Sequence, residues 1–408
     1  MNTGIVKSKA SGLALMGKVL VAVAALVAGG LPQHASASPS NAQLEQYIID
    51  FCGTTTSNLL SVQLMCSRLA GYASSGGANV SANLGIASVG GEISTRKRKG
   101  VSLPEEDQNN KSVKGASADD GGWGLLVAPQ YGKNERTETD LENGYQSNLS
   151  GLLVGTDYRF SDRFVLGATI ALTKDDATFL NNAGALKTGS TVFTMYGTWL
   201  PSEVVSFDGY LGFGKIKLET SRVINWVTNA ATDPPNGFFG TVNGDTTGQQ
   251  IMAGISASLQ KKYGRLDLSP SISLDYIKTS INGYNESGTT TIEMHYADRT
   301  TASLISSLGV RLGGSFSHEW GMLLPYMRVA AVHEFQSNAQ QVRNELVISP
   351  GTGFSVATDA PDRNYLNLGL GVVAALDSGA QLFLDYDKRT QDKLLSSWAV
   401  SLGVLLEF

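Results

Sequence analysis

From Gly122 to Phe408 apolar residues recur at every second position. After residue 40 they never run together for the roughly 18 positions that a membrane-spanning helix requires. In the stretch 266–276 one face reads Leu, Leu, Pro, Ile, Leu, Tyr, and the other is Asp267, Ser269, Ser271, Ser273 and Asp275. A charge facing lipid at mid-bilayer costs about 2–4 kcal/mol, so a strand this clean meets an apolar solvent on one side and water on the other. Lipid tolerates strands only when every backbone N–H and C=O is paired, which requires a closed wall. The expectation is therefore an all-β protein: a 12-stranded antiparallel transmembrane β-barrel over residues 122–408, preceded by a short helical and linker segment.

The spacing of the alternating segments supplies the count. Twelve are predicted, joined by short turns after every even strand and by longer connections after the odd ones. The longest of these are expected at Arg222–Thr247, Asn282–Thr301 and Gln336–Asn364. Short turns at one rim and long loops at the other suit an up-and-down membrane barrel of even strand number. Trp199, Trp320, Tyr326, Tyr386 and Trp398 fall near predicted strand ends, where an aromatic girdle belongs.

The last strand, Leu395–Phe408, puts Trp398, Val400, Leu402, Val404, Leu406 and Phe408 on one face and Ala399, Ser401, Gly403, Leu405 and Glu407 on the other. A half-polar strand ending on an aromatic residue leaves an edge that must be paired. Pairing it with the first strand closes the barrel.

The start of the chain has a different character. Lys7, Lys9 and Lys18 precede the apolar run Val19–Val27, and Ala35-Ser36-Ala37 offers small residues for cleavage, the layout of a signal peptide over residues 1–37. Its removal would take three Lys and no acidic residue, moving the net charge from −5 to −8. That leaves no basic footprint for nucleic acid. Residues 38–121 form a short passenger or linker. Leu44, Tyr47, Ile48 and Phe51, and then Leu60, Leu64 and Leu69, have helical spacing. Cys52 and Cys66 are the only cysteines, with no C-x-x-C pair and no nearby His to complete a zinc site. A disulfide formed after export is the expected state, two buried thiols the alternative. The basic run Arg96, Lys97, Arg98, Lys99 precedes a polar tether.

The segments Gly151–Arg159, Phe164–Ala168, Phe207–Gly214, Leu366–Gly371 and Ser401–Phe408, taken in order, resemble the translocator barrel domain of type V autotransporters. That resemblance implies a barrel of the cell outer membrane whose lumen is threaded by a segment leading to an N-terminal passenger. It also implies export through the Sec translocon, escort by periplasmic chaperones and insertion by the outer-membrane barrel assembly machinery. That machinery would read Phe408 with Leu406, Val404 and Leu402. Outer-membrane lipid and lipopolysaccharide are the surrounding partners, and no cofactor or metal is called for. Passengers of the family are usually long, whereas only about 80 residues stand here between signal and barrel.

By strand parity Asp157, Arg159, Asp208, Asp275, Arg311 and Asp385 are expected to line the lumen, where they could hold the Arg96–Lys99 run as it threads through. Charge pairs in a narrow lumen are screened less than at a surface. His295 with Asp298 is the one pair on a predicted outer loop that invites a hydrolytic reading, but no nucleophile accompanies it. Two functions stay open: a barrel that anchors and translocates its own N-terminal segment, or an outer-membrane adhesin or pore whose outer loops bind surfaces or ligands. Neither is enzymatic.

Overall fold

The computed structural model describes residues 122–408, apart from positions 140, 162, 203, 230–235 and 337–340. The expected signal peptide, the helices of residues 38–121, the Cys52–Cys66 pair and the Arg96–Lys99 run lie outside the described residues.

Twelve long strands follow one another in an antiparallel meander. They are β1 (Trp123–Arg136), β2 (Tyr145–Ser161), β3 (Phe164–Phe179), β4 (Gly184–Trp199), β5 (Val205–Asn229) and β6 (Asn236–Leu259). The meander continues through β7 (Leu266–Ile281), β8 (Arg299–Gly314), β9 (Gly321–Glu334), β10 (Asn364–Leu376), β11 (Gln381–Thr390) and β12 (Leu395–Glu407). β12 then pairs with β1, in a register running from Gly124 opposite Glu407 to Arg136 opposite Leu395. The wall is closed and has no edge, so backbone groups need no water to satisfy them.

Alternation sorts the side chains as expected. On β12, Leu402 and Leu406 are exposed on the outer surface, while Ser401, Gly403 and Leu405 are buried on the inner one. At the rim that carries Trp123 and Phe408, outward rings touch in series. Trp123 and Tyr158 centroids are 5.1 Å apart, Tyr158 and Phe160 4.9 Å, Phe160 and Phe164 5.8 Å, and Trp199 and Phe207 5.7 Å. Tyr326 does not join this girdle: its position on β9 turns it inward, where it is buried.

One reading of the wall needs correction, and its inner face is not polar throughout. Leu126, Leu153, Val192, Met252, Ile305 and Phe383 belong to one buried apolar cluster on that face. Lipid penalises charge on the outer surface, but nothing comparable forbids apolar groups on the inner one when neighbours cover them. Nor is 222–247 a loop. β5 and β6 continue through it as a paired hairpin, with Arg222 opposite Val242 and Ile224 opposite Gly240. Beyond the membrane both faces meet water or protein, so the ladder persists after the apolar outward pattern has stopped.

The connections 282–298 and 335–363 are likewise structured. Short strands Tyr284–Asn285, Met294–Tyr296, Gln341–Leu346 and Phe354–Ala357 form a second antiparallel sheet from the two loops. It is joined to β6 by a reciprocal backbone pair between Asn243 and Ser287, at 2.9 and 2.8 Å.

Candidate functional site

The inner surface carries the chemistry of this molecule, and its polar groups follow a repeated arrangement. Across β2 to β7 one row of register partners reads Asp157, Gly167, Tyr196, Tyr210, Gly254, Asp275. The Tyr196 hydroxyl donates to Asp157 Oδ2 at 2.9 Å, and the Tyr210 hydroxyl donates to Asp275 Oδ1 at 2.8 Å. Each ring crosses the intervening strand over a glycine, and a Cβ on Gly167 or Gly254 would overlap that ring. A second row on β9 to β11 reads Tyr326, Gly371, Asp385 and behaves in the same way, with the Tyr326 hydroxyl bonded to Asp385. Glycine is required at these positions for close approach, not for an unusual φ.

The arrangement follows from elementary costs. A carboxylate turned inward among apolar side chains must be paired or hydrogen-bonded. A tyrosine two strands away supplies a donor and also covers apolar surface. The glycine between them removes the side chain that would keep the two apart.

The six residues expected to line the lumen all share the inner face, and the structure divides them among separate settings. Asp157, Asp275 and Asp385 take the tyrosine bonds just described. Asp275 also accepts from Ser273 at 3.0 Å. Asp208 accepts from Thr198 at 2.6 Å and from Ser256 at 3.4 Å. Arg311 stacks over the Tyr326 ring, 4.1 Å from its centroid. Arg159 stands near the rim, its backbone N–H donating to Gly122 at 3.0 Å.

Sequence reasoning missed Arg328 and Asp387. The Arg328 guanidinium donates to Asp385 Oδ1 at 2.9 Å and from Nε to Asp387 Oδ1 at 3.1 Å, making a pair of ion pairs over Gly369. Parity alone would have found both residues, since Arg328 lies between Tyr326 and Ala330 on the inner side of β9.

The outer loops hold a second polar site. Arg222 of β5 is buried and forms a two-pronged ion pair with Glu286, at 2.9 Å from Nε, and also donates to the Ile292 carbonyl at 3.1 Å. Glu286 further accepts the Met294 N–H at 2.9 Å and the Tyr296 hydroxyl at 3.3 Å. On the other flank Arg136 of β1 pairs with buried Glu142 and, at 2.9 Å, with Asp359 of the loop 335–363. The His295–Asp298 pair does not form a unit. His295 Nδ1 lies 2.5 Å from Asn285, and Asp298 accepts the Gly283 N–H at 2.5 Å.

A closed wall of twelve strands, apolar outside and charged within, with folded loops at one rim, is a membrane β-barrel of outer-membrane type. A family model described as autotransporter beta-domain matches residues 125–387, and the chain belongs to that family. It is an outer-membrane protein. Lipase 1 of Photorhabdus luminescens is 28% identical over 307 residues, 74% of this chain and 44% of the lipase. The BrkA autotransporter of Bordetella pertussis is 24% identical over 302 residues, 71% of this chain and 26% of BrkA. This chain thus spans less than half the length of either relative. Among solved structures, the translocator domain of autotransporter NalP from Neisseria meningitidis superposes with a TM-score of 0.56 at 14% identity, covering 79% of this chain and 98% of that domain. That likeness concerns the fold.

Proposed function

We propose that the barrel anchors and translocates its own N-terminal segment. In this reading residues 1–37 direct export through the Sec translocon and are removed, and periplasmic chaperones carry the chain onward. The barrel assembly machinery, reading Phe408, Leu406, Val404 and Leu402, then inserts residues 122–408. Residues 38–121, clipped by Cys52–Cys66, are the cargo and its tether. The observation that carries the proposal is the sign of the inner wall: among the described strands Asp157, Asp175, Asp208, Asp267, Asp275, Glu334, Asp385, Asp387 and Glu407 share the inner face with Arg136, Arg159, Arg222, Arg299, Arg311, Arg328 and Arg389, nine acidic groups to seven basic. An acidic excess in a confined, weakly screened space attracts the Arg96–Lys99 run and holds it there. The barrel has the part of a carrier, not of a catalyst, even though one relative is named a lipase.

A second reading rests on the outer sheet. Loops pinned by Arg222–Glu286 and Arg136–Asp359 make an ordered platform, the kind of surface that binds a ligand without first losing loop entropy. Protease added to intact cells separates the two readings. Cleavage of an epitope tag placed within residues 45–65 supports translocation. Protection of that tag, with cleavage in the outer loops, supports the platform and contradicts the first reading.

A further inference from the structure

The outward surface of the wall is apolar until it reaches a level where lysines begin. β1, β7 and β11 each place one outward Lys there: Lys133, Lys278 and Lys388. The neighbouring strands β3, β4 and β5 collect Lys174, Lys187, Lys215 and Lys217 in one patch. The register orders them in three rows. Leu172, Thr191 and Lys215 are partners in the lowest, Lys174, Gly189 and Lys217 in the next, and Asp176, Lys187 and Glu219 in the highest.

The height of the patch follows from strand geometry. Lys174 is ten residues beyond Phe164, and Lys217 ten beyond Phe207. At about 3.3 Å per residue and a tilt of about 40°, both stand about 25 Å above the aromatic rim, which is the thickness of the apolar band of such barrels. Lys174 and Lys217 therefore lie at headgroup level of the outer leaflet, with Lys215 two residues and about 5 Å lower on β5, close enough for its long side chain to reach that level. Directly below them Leu172, Phe193 and Phe213 are exposed to the acyl chains.

Between Lys174 and Lys217 the wall is bare. A Cβ on Gly189 would meet nothing within 4 Å, so packing does not require this glycine, and its absent side chain leaves a shallow notch. The two flanking strands are about 10 Å apart, and a lysine from either side can reach a group seated over Gly189. Lys174 is bonded to Asp176 and Lys217 to Glu219, both at 2.7 Å, yet the two lysine side chains remain 63% and 66% exposed. Ion pairs this open contribute little and exchange readily for a better anion.

We propose that this patch is a binding site for a phosphorylated glycolipid of the outer leaflet. One phosphate sits over Gly189 between Lys174 and Lys217, Lys187 and Lys215 flank the sugar headgroup, and the acyl chains run down over Leu172, Phe193 and Phe213. Asp176 and Glu219 release their lysines when the lipid arrives.

The test uses the full chain, folded in nanodiscs of phosphatidylcholine, with bisphosphorylated lipid A, its dephosphorylated form and phosphatidylglycerol as probes, and native mass spectrometry to count retained lipid. The site predicts retention of the phosphorylated glycolipid over both other lipids. Lys174→Gln with Lys217→Gln should weaken retention about 25-fold, from about fivefold per surface lysine. Lys133→Gln with Lys388→Gln should leave it unchanged. Gly189→Glu keeps every lysine and fills the notch with negative charge, and it should weaken binding as strongly. Heat-modifiable migration certifies each barrel as folded, and the comparison of probes on the unaltered protein needs no variant. Equal retention of the three lipids, or Gly189→Glu binding like the parent, would overturn the assignment.

Discussion

The backbone N–H of Phe408 donates to the carbonyl of Trp123 at 3.0 Å, and the N–H of Trp123 returns a bond to Phe408 at 2.9 Å. Phe408 is thus the last rung of the seam that closes the wall, and the residue, 72% exposed, is turned to lipid. Deleting Phe408 removes this reciprocal pair together with the apolar terminus. The expected result is several-fold less heat-modifiable barrel in the outer membrane, with export to the periplasm unchanged. Equal amounts of folded barrel in variant and parent would count against a role in assembly.

The Tyr–Gly–Asp crossings make a contrast of magnitudes. Tyr326→Phe leaves Asp385 paired with Arg328, so the loss should be about 1 kcal/mol. Gly371→Val drives side-chain atoms into the Tyr326 ring and should cost about 3 kcal/mol, at the upper end for overpacking. Combining Gly371→Val with Tyr326→Ala should recover part of that loss, because the clash has lost its partner. Unfolding in denaturant, followed by the gel shift of the barrel, measures all three. Strictly additive losses in the double variant would contradict the packing described.

Arg222 and Glu286 hold the outer sheet to β5. Removing one partner of a buried pair costs about 3–5 kcal/mol, since the other charge is stranded. Arg222→Met should therefore render residues 282–298 cleavable by added protease while the barrel keeps its migration. Arg222→Met combined with Glu286→Leu should restore much of the resistance. Loops equally resistant in parent and single variant would show that the pair does not hold the sheet.

The same sheet should open in alkali. Burial first, and then the nearby Glu286 charge, push the Tyr296 hydroxyl well above its usual range, and burial also raises Tyr284. An unfolded tyrosine ionises near pH 10. Below that value both states keep their protons and the sheet has its full stability. Above it the opened loops release protons that the folded sheet retains, so stability falls as pH rises. Proteolysis of residues 282–298 should accelerate from about pH 10 upward, and Tyr296→Phe should blunt the dependence. A profile flat to pH 11 would show that neither ring is buried as described.

What could be read in advance was whatever the membrane dictates. Lipid allows almost no charge on the outer face, so β7 and β12 were legible residue by residue, together with the inward turn of Asp157 and Asp385. Outside that slab the constraint lapses. The hairpin around Arg222 and the sheet built from Met294–Tyr296 and Gln341–Leu346 mix polar and apolar residues, and their strands depend on long-range partners that no local period reveals. The sequence groups Tyr326 with the girdle because aromatic residues serve both solvents, and only its parity relative to Arg328 and Met327 separates the cases. The glycine crossings require register, which links Gly371 to Tyr326 on one side and to Asp385 on the other. No single segment contains that information.

The wall is closed, with lipid on one side of its strands and a confined inner surface on the other. Single cysteines introduced from Trp398 to Leu406 on β12, with Cys52 and Cys66 replaced by Ser, test it directly in proteoliposomes. A lipid-soluble thiol reagent should label positions 398, 400, 402, 404 and 406 and spare 399, 401, 403 and 405. Labelling without a period of two along this strand would contradict the closed wall.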